Sequence, residues 1–344
     1  LMRVSVEEVV FCDGVSTPLP LFSIRFPVMF YCHFPDKLLC TERRSSLKKL
    51  YRGFIDWVEE MTTGCADVIV VNSNFTRGIF RQAFPSLKVD PAVIYPVADL
   101  QSFTLPDWSL RTGAIGIGPF VSLNRFERKK NIGLAIEALS LLKAQVNPET
   151  AQQLQLIIAG GYDINVTENV EYLQELKALA KEFLVEDLVS FRPSISDSDR
   201  DTLLQSALCV IYTPENEHFG IVPIEAMYAG APVLACKSGG PLETVRDGET
   251  GFLRENTPAA FSDVMLGLAL DPQNSCALGR VAHEHIKEHF GPERFADILD
   301  KAILSTVEKG RMSNRGRSLM TATFAAVLIV FLSAIYVSVM KKGF

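Results

Sequence analysis

Short, mostly apolar runs recur along this chain, separated by stretches of helical length with one apolar face. That alternation constrains the fold more than any other feature. Val28–Cys32, Asp67–Ser73, Leu154–Ala159, Ala207–Ile211 and Pro232–Cys236 are such runs. A strand buried on both faces reads as a continuous apolar run, and strand–helix alternation builds a parallel, doubly wound α/β sheet. Helices are expected over Leu47–Thr63, where Leu47, Leu50, Tyr51, Phe54, Ile55 and Val58 make an apolar face, and over Asn74–Ala83, capped by Ser73 or Asn74. Further on they fall at Ile132–Ala144, Val170–Leu184, Asp199–Ser206, Pro258–Leu270, Ser275–His289 and Pro292–Glu308, while Pro18 to Pro20 mark a loop. The segment 99–111 is rich in Asp, Ser, Thr and Pro and reads as a linker. The 344 residues then divide into domains at 1–108 and 109–310.

Composition excludes some functions. A net charge of −6 argues against a nucleic-acid binder, which needs a basic surface. Seven cysteines, odd in number and without a CxxC pair, suit buried reduced thiols better than a disulfide framework or a zinc site. One end departs from the globular balance. Residues 319–340 form a 22-residue run without a charge, bracketed by Arg311, Arg315 and Arg317 and by Lys341-Lys342. About 20 apolar residues span a bilayer core, so a transmembrane helix is expected there.

The chemistry is expected in the stretch Tyr212–Gly230. A buried strand leads into a polar loop with Glu215, Glu217 and His218, and a helix starts near Gly220, with Pro223 tolerated in its first turn. Main-chain N–H groups of Phe219, Gly220 and Ile221 would face whatever lies between Glu217 and Glu225. A helix N-terminus attracts anions, so two acids beside one suggest a ligand carrying both phosphate and hydroxyls, such as a nucleotide sugar. The helix dipole alone also favours acids at this place. Upstream, His33 follows a strand end, where open α/β sheets bind ligands, and a histidine satisfying a loop carbonyl would look the same. Asp13-Gly14 ends the first strand. Arg125 and Lys130 lie in a charged strand-to-helix turn, which by itself reads as a solvated loop. Gly160-Gly161 end another strand and allow close backbone approach or simply a tight turn.

EHFGIVPIE, with two glutamates separated by seven residues, resembles the signature of the retaining GT-B glycosyltransferases of family four. The longer NEHFGIVPIEAM, with YCHFPD and SLNRFERKKN upstream, is similar to the GDP-mannose-dependent α-1,3/α-1,6-mannosyltransferases of dolichol-linked oligosaccharide assembly. The resemblance runs from about Val10 to about Leu304. It implies a GT-B fold of two Rossmann-like domains with parallel sheets and transfer of mannose from GDP-mannose to Man1GlcNAc2-PP-dolichol. It also implies a role in the reaction for Glu217, His33, Arg125 and Lys130. Donor binding would fall to Glu225, Phe219, Gly220, Ile221, Gly160 and Gly161, with no metal or other cofactor. Relatives carry a glycine-rich loop near the start of the first domain. Its absence leads to the expectation that the first part of this domain is missing. Two other readings stay open: a related transferase with another lipid-linked acceptor, and an inactive membrane-anchored nucleotide-binding scaffold.

The same resemblance places the chain at the endoplasmic reticulum membrane with its catalytic domains facing the cytosol. Other transferases of the dolichol pathway are then partners for assembly. A single crossing puts the tail Lys341-Lys342-Gly343-Phe344 in the lumen and makes its dilysine form a chance match.

Overall fold

The computed structural model describes residues 8–39, 46–98, 100, 106, 108 and 117–313. The chain forms two compact units, Leu1–Tyr95 with Ala296–Phe344, and Pro96–Phe295. The division therefore falls at Tyr95/Pro96, ahead of the boundary expected at 108/109. The last helix, Pro292–Ser313, carries the chain back to the first unit, where a Cβ on Gly310 would come within 2.7 Å of Pro27. Periodicity reveals that helix but not the sheet it returns to.

The first unit is built on four parallel strands, β1 (Val10–Asp13), β2 (Val28–Cys32), β3 (Val68–Val71) and β4 (Ala92–Val93), in the order β1-β2-β3-β4. All of β2 and β3 is buried, as their continuous apolar sequence requires. Leu19, Val28, Phe30, Ile69, Val71, Phe80 and Phe84 form the core. Ser73 caps the helix Asn74–Ala83 by accepting the Thr76 N–H at 2.9 Å. Two expectations fail here. Pro18–Pro20, read as a loop, opens the one-turn helix Leu19–Phe22. In the helix Ser46–Thr63 only part of the expected apolar face is covered: Val58 is buried, whereas Leu50 and Tyr51 are exposed.

The second unit holds six parallel strands: β5 (Phe120–Leu123), β6 (Leu156–Gly160), β7 (Val189–Pro193), β8 (Cys209–Tyr212), β9 (Val233–Cys236) and β10 (Gly251–Arg254). Their order is β10-β9-β8-β5-β6-β7. From β5 the chain winds outward through β6 and β7, then returns to lay β8 against the other side of β5. This is the Rossmann order, and its reversal lies between β5 and β8. Phe120, Ile136, Leu139, Leu156, Ile158, Ile211 and Leu234 lie in one continuous core. Among the described residues no helix is long and apolar enough to cross a membrane. The span expected at 319–340 lies outside the described residues, as does Cys40; the six described cysteines carry no disulfide.

Candidate active site

In an open α/β sheet the crevice beyond the carboxyl ends of the strands, at the point of reversal, is where ligands bind. In the second unit that point brings together the turn after β5 and the loop after β8. Tertiary structure joins residues 87 positions apart in the chain: Lys130 Nζ donates to Glu217 Oε2 at 2.6 Å. The two side chains are only 12% and 26% exposed, so the pair is poorly screened by water. Thr213 adds a second tie between the segments, its hydroxyl donating to the Lys130 carbonyl at 2.6 Å.

Glu217 is held by main chain as well. The Asn216 N–H donates to Ser238 Oγ at 3.0 Å, and the Gly240 N–H donates to the Glu217 carbonyl at 2.8 Å. A Cβ at Gly240 would stand 1.9 Å from the Phe219 carbonyl oxygen, so no other residue fits there without moving the loop. Tyr212, buried at the end of β8, hydrogen-bonds the Glu217 carboxylate. Burial first, then the charge and hydrogen bond of Glu217, push the phenol well above its ordinary range.

The remaining expected residues divide in two. Arg125 is 62% exposed and pairs with Glu127 at 3.0 Å, which leaves its guanidinium at the solvent edge of the β5 turn. Gly160 and Gly161 serve that turn: a Cβ on Gly160 would lie 2.1 Å from the Asn124 carbonyl oxygen, and one on Gly161 would lie 3.0 Å from Arg125 Cγ. The close approach allowed by these glycines is thus made to the Arg125 segment. Arg128, 44% exposed, ties the turn to Glu171 and Glu175.

Gly220 adopts φ 81°, a left-handed cap, and Ile221 begins the eight-residue helix Ile221–Tyr228. The first main-chain N–H groups of a helix have no acceptor within it. Phe219 turns its ring inward onto Phe290, with centroids 6.2 Å apart, so any part it plays at the site is played by main chain. Glu225, 8% exposed, lies on this helix with Arg200 Nη1 3.5 Å from its Oε1. His33 belongs to the first unit. Among the described residues no group of three or more His, Cys, Asp or Glu is placed to hold a metal ion.

Thr213, Tyr212, Arg200 and the Ser238–Gly240 turn were not singled out from sequence. Of these, only the Gly-Gly pair carried a signal of close packing.

Known proteins sharpen this geometry. Residues 119–285 match the family Glycosyl transferases group 1. The human Alpha-1,3/1,6-mannosyltransferase ALG2 is 45% identical over 299 residues, covering 85% of this chain and 72% of the human protein. The chain belongs to the ALG2 mannosyltransferase family. The ALG2 enzymes of mouse, at 43% identity, and of Saccharomyces cerevisiae, at 38%, extend the match, covering 87% and 89% of this chain and 74% and 67% of their own lengths. Solved structures agree on the GT-B fold. Sucrose-phosphate synthase from Thermosynechococcus elongatus superimposes with a TM-score of 0.68 at 23% identity, covering 86% of this chain and 72% of that one. HepE from Anabaena gives 0.68 at 22% identity, covering 87% and 79%. The Lys130–Glu217 contact therefore lies within the stretch that matches the group 1 glycosyltransferase family.

Proposed function

We propose that the chain transfers mannose from GDP-mannose to a dolichol-pyrophosphate-linked acceptor at the endoplasmic reticulum membrane, on its cytosolic face, with retention at the anomeric carbon. The observation that carries this reading is the Lys130–Glu217 contact at the reversal of the second sheet. One cation and one carboxylate stand there at hydrogen-bond distance beside the first turn of a helix. A sugar diphosphate matches all three groups.

The donor diphosphate takes Lys130 and Arg125, with N–H groups of the first turn at Ile221. These fixed positive groups stabilise the charge that grows on departing GDP, so no metal is required. Lys130 exchanges Glu217 for phosphate, and the freed carboxylate accepts hydrogen bonds from mannose hydroxyls. Glu217 thus orients the sugar and offsets positive charge at its anomeric carbon. Glu225, held beside Arg200, accepts from the ribose hydroxyls. The anomeric C–O bond to phosphate breaks, the bond to the acceptor oxygen forms on the same face, and the acceptor proton passes to the departing phosphate oxygen. His33 offers a hydrogen-bonding ring at the carboxyl edge of the first sheet.

Calorimetry and turnover on the full chain test these roles. GDP should bind more tightly than UDP. Glu217→Gln should lose turnover while keeping GDP affinity, and Glu225→Gln should weaken GDP by about 1–3 kcal/mol, the range for a hydrogen bond to a charged group. Tighter UDP binding would reject the donor, and the reversed mutant pattern would exchange the two roles. Chelator should leave the rate unchanged.

A further inference from the structure

His33 is more firmly placed than its position past a strand end suggests. β1 and β2 run parallel with Asp13 opposite Tyr31, so the last residue of β1 comes level with the end of β2. The chain leaves β1 through Gly14 at φ 75°, whose N–H donates to the Tyr31 carbonyl at 2.9 Å. The His33 ring then lies with Nε2 2.6 Å from Asp13 Oδ1. The Tyr31 ring meets it edge-on at 4.8 Å, and the Tyr31 hydroxyl is itself anchored on the Ile94 carbonyl at 2.9 Å. Glu59 holds the residues that follow, accepting the N–H groups of Asp36 at 2.7 Å and Lys37 at 2.9 Å.

We propose that Asp13 is a positioning residue for His33, accepting a hydrogen bond from Nε2–H so that Nδ1 presents a lone pair to a carbohydrate hydroxyl at the carboxyl edge of the first sheet. This rests on the transferase reading above. An ionised carboxylate can only accept a hydrogen bond, so the nitrogen facing Asp13 must be the protonated one, and the hydrogen bond at one ring nitrogen fixes the role of the other. Fold stability does not account for the pair. His33 and Asp13 are 54% and 60% exposed, and such surface pairs contribute little. What the arrangement supplies is an oriented acceptor at the carboxyl edge of a parallel sheet.

Histidine-selective 15N spectra of the full chain, without substrates, report which nitrogen of each neutral ring carries the proton. The chain has five histidines, so comparison with His33→Gln identifies the signal. The expected result is a proton on Nε2 in the unsubstituted chain, held by a charged acceptor that Asp13→Asn removes. Asp13→Asn should also lower kcat roughly 10²-fold, the lower range for a positioned acid–base group. GDP affinity and Tm should hold, and Asp13→Glu should recover part of the rate. A proton on Nδ1 in the unsubstituted chain overturns the proposal. So does a kcat that Asp13→Asn leaves unchanged. An unsubstituted chain that shows the expected tautomer but transfers no mannose rejects the transferase reading instead, because the tautomer is read without turnover.

Discussion

Each unit carries a hydrogen-bonded pair with one acid beyond the carboxyl ends of its strands, closed at the same 2.6 Å, yet the two pairs live in different media. Asp13–His33 is open to water on both partners. Lys130–Glu217 lies under the loops that follow β5 and β8, with Tyr212 behind it. Two unit charges 4 Å apart attract by about 1 kcal/mol in water and about 4 kcal/mol at an effective dielectric of 20. The exposed pair can therefore aim a ring without contributing much to folding. In the sheltered pair, loss of one partner strands the other. Distance alone does not say what such a pair does; burial decides it.

The sharpest way to break that comparison is Lys130→Ala. It removes a fixed cation from the proposed diphosphate site and leaves Glu217 uncompensated, so kcat should fall about 10²–10³-fold, the cost of losing one preorganised donor. Single-turnover transfer would measure it, and a fall no larger than that of Asp13→Asn would mean that burial does not separate the pairs. Next in size is the support of the sheltered loop. Gly240→Ala drives a Cβ against the Phe219 carbonyl and should destabilise by about 1–3 kcal/mol in thermal melts. By contrast, Gly78 in the helix Asn74–Ala83 of the first unit has open space at its Cβ position, and Gly78→Ala should stabilise by about 0.5–1 kcal/mol.

A smaller effect separates the units by pH. Burial, with Arg246 and His289 nearby, lowers the pKa of His285 from its ordinary 6.5. Above pH 6.5 the residue is neutral in both folded and unfolded chains, and its favourable contribution is fully present. As pH falls below 6.5 the unfolded chain takes up the proton first, so stability is lost until the folded pKa is passed. Denaturant melts at successive pH values should show this slope, and His285→Gln should flatten it. Smallest of all, Asp13→Asn should change unfolding stability by less than about 1 kcal/mol, as expected for an exposed pair. A larger loss would make the dyad a structural element.

Much of the architecture was legible because buried parallel strands have to be apolar along their whole length. Val28–Cys32 forms β2 with the bounds read from sequence, and the Ser73 cap and the helix Pro258–Leu270 also stand as expected. The strand β10 was missed for a physical reason. It is an edge strand, paired only with β9 and buried on one face, so Gly251-Phe252-Leu253-Arg254 shows no continuous apolar run. The helix Pro148–Gln153 buries none of its residues, and its polar sequence left no periodic signal. Leu50 and Tyr51 misled in the opposite sense, since an apolar stripe shows which face is ready for burial and not whether anything covers it.

The class of fold, the succession of strands and helices, and the residue types available for chemistry can all be read along the chain. Those properties are local: they follow from side-chain period, backbone preference and the need to satisfy main-chain groups. Only the tertiary structure decided which of these residues meet. Strand order laid β8 against β5 and so closed Lys130 onto Glu217, and parallel register set Asp13 level with Tyr31 and within reach of His33. Strand order and register arise from packing the whole sheet between its helices, a condition no single stretch of sequence records. For that reason Asp13 reads along the chain as the end of a strand, and in the folded protein it is the partner of a histidine.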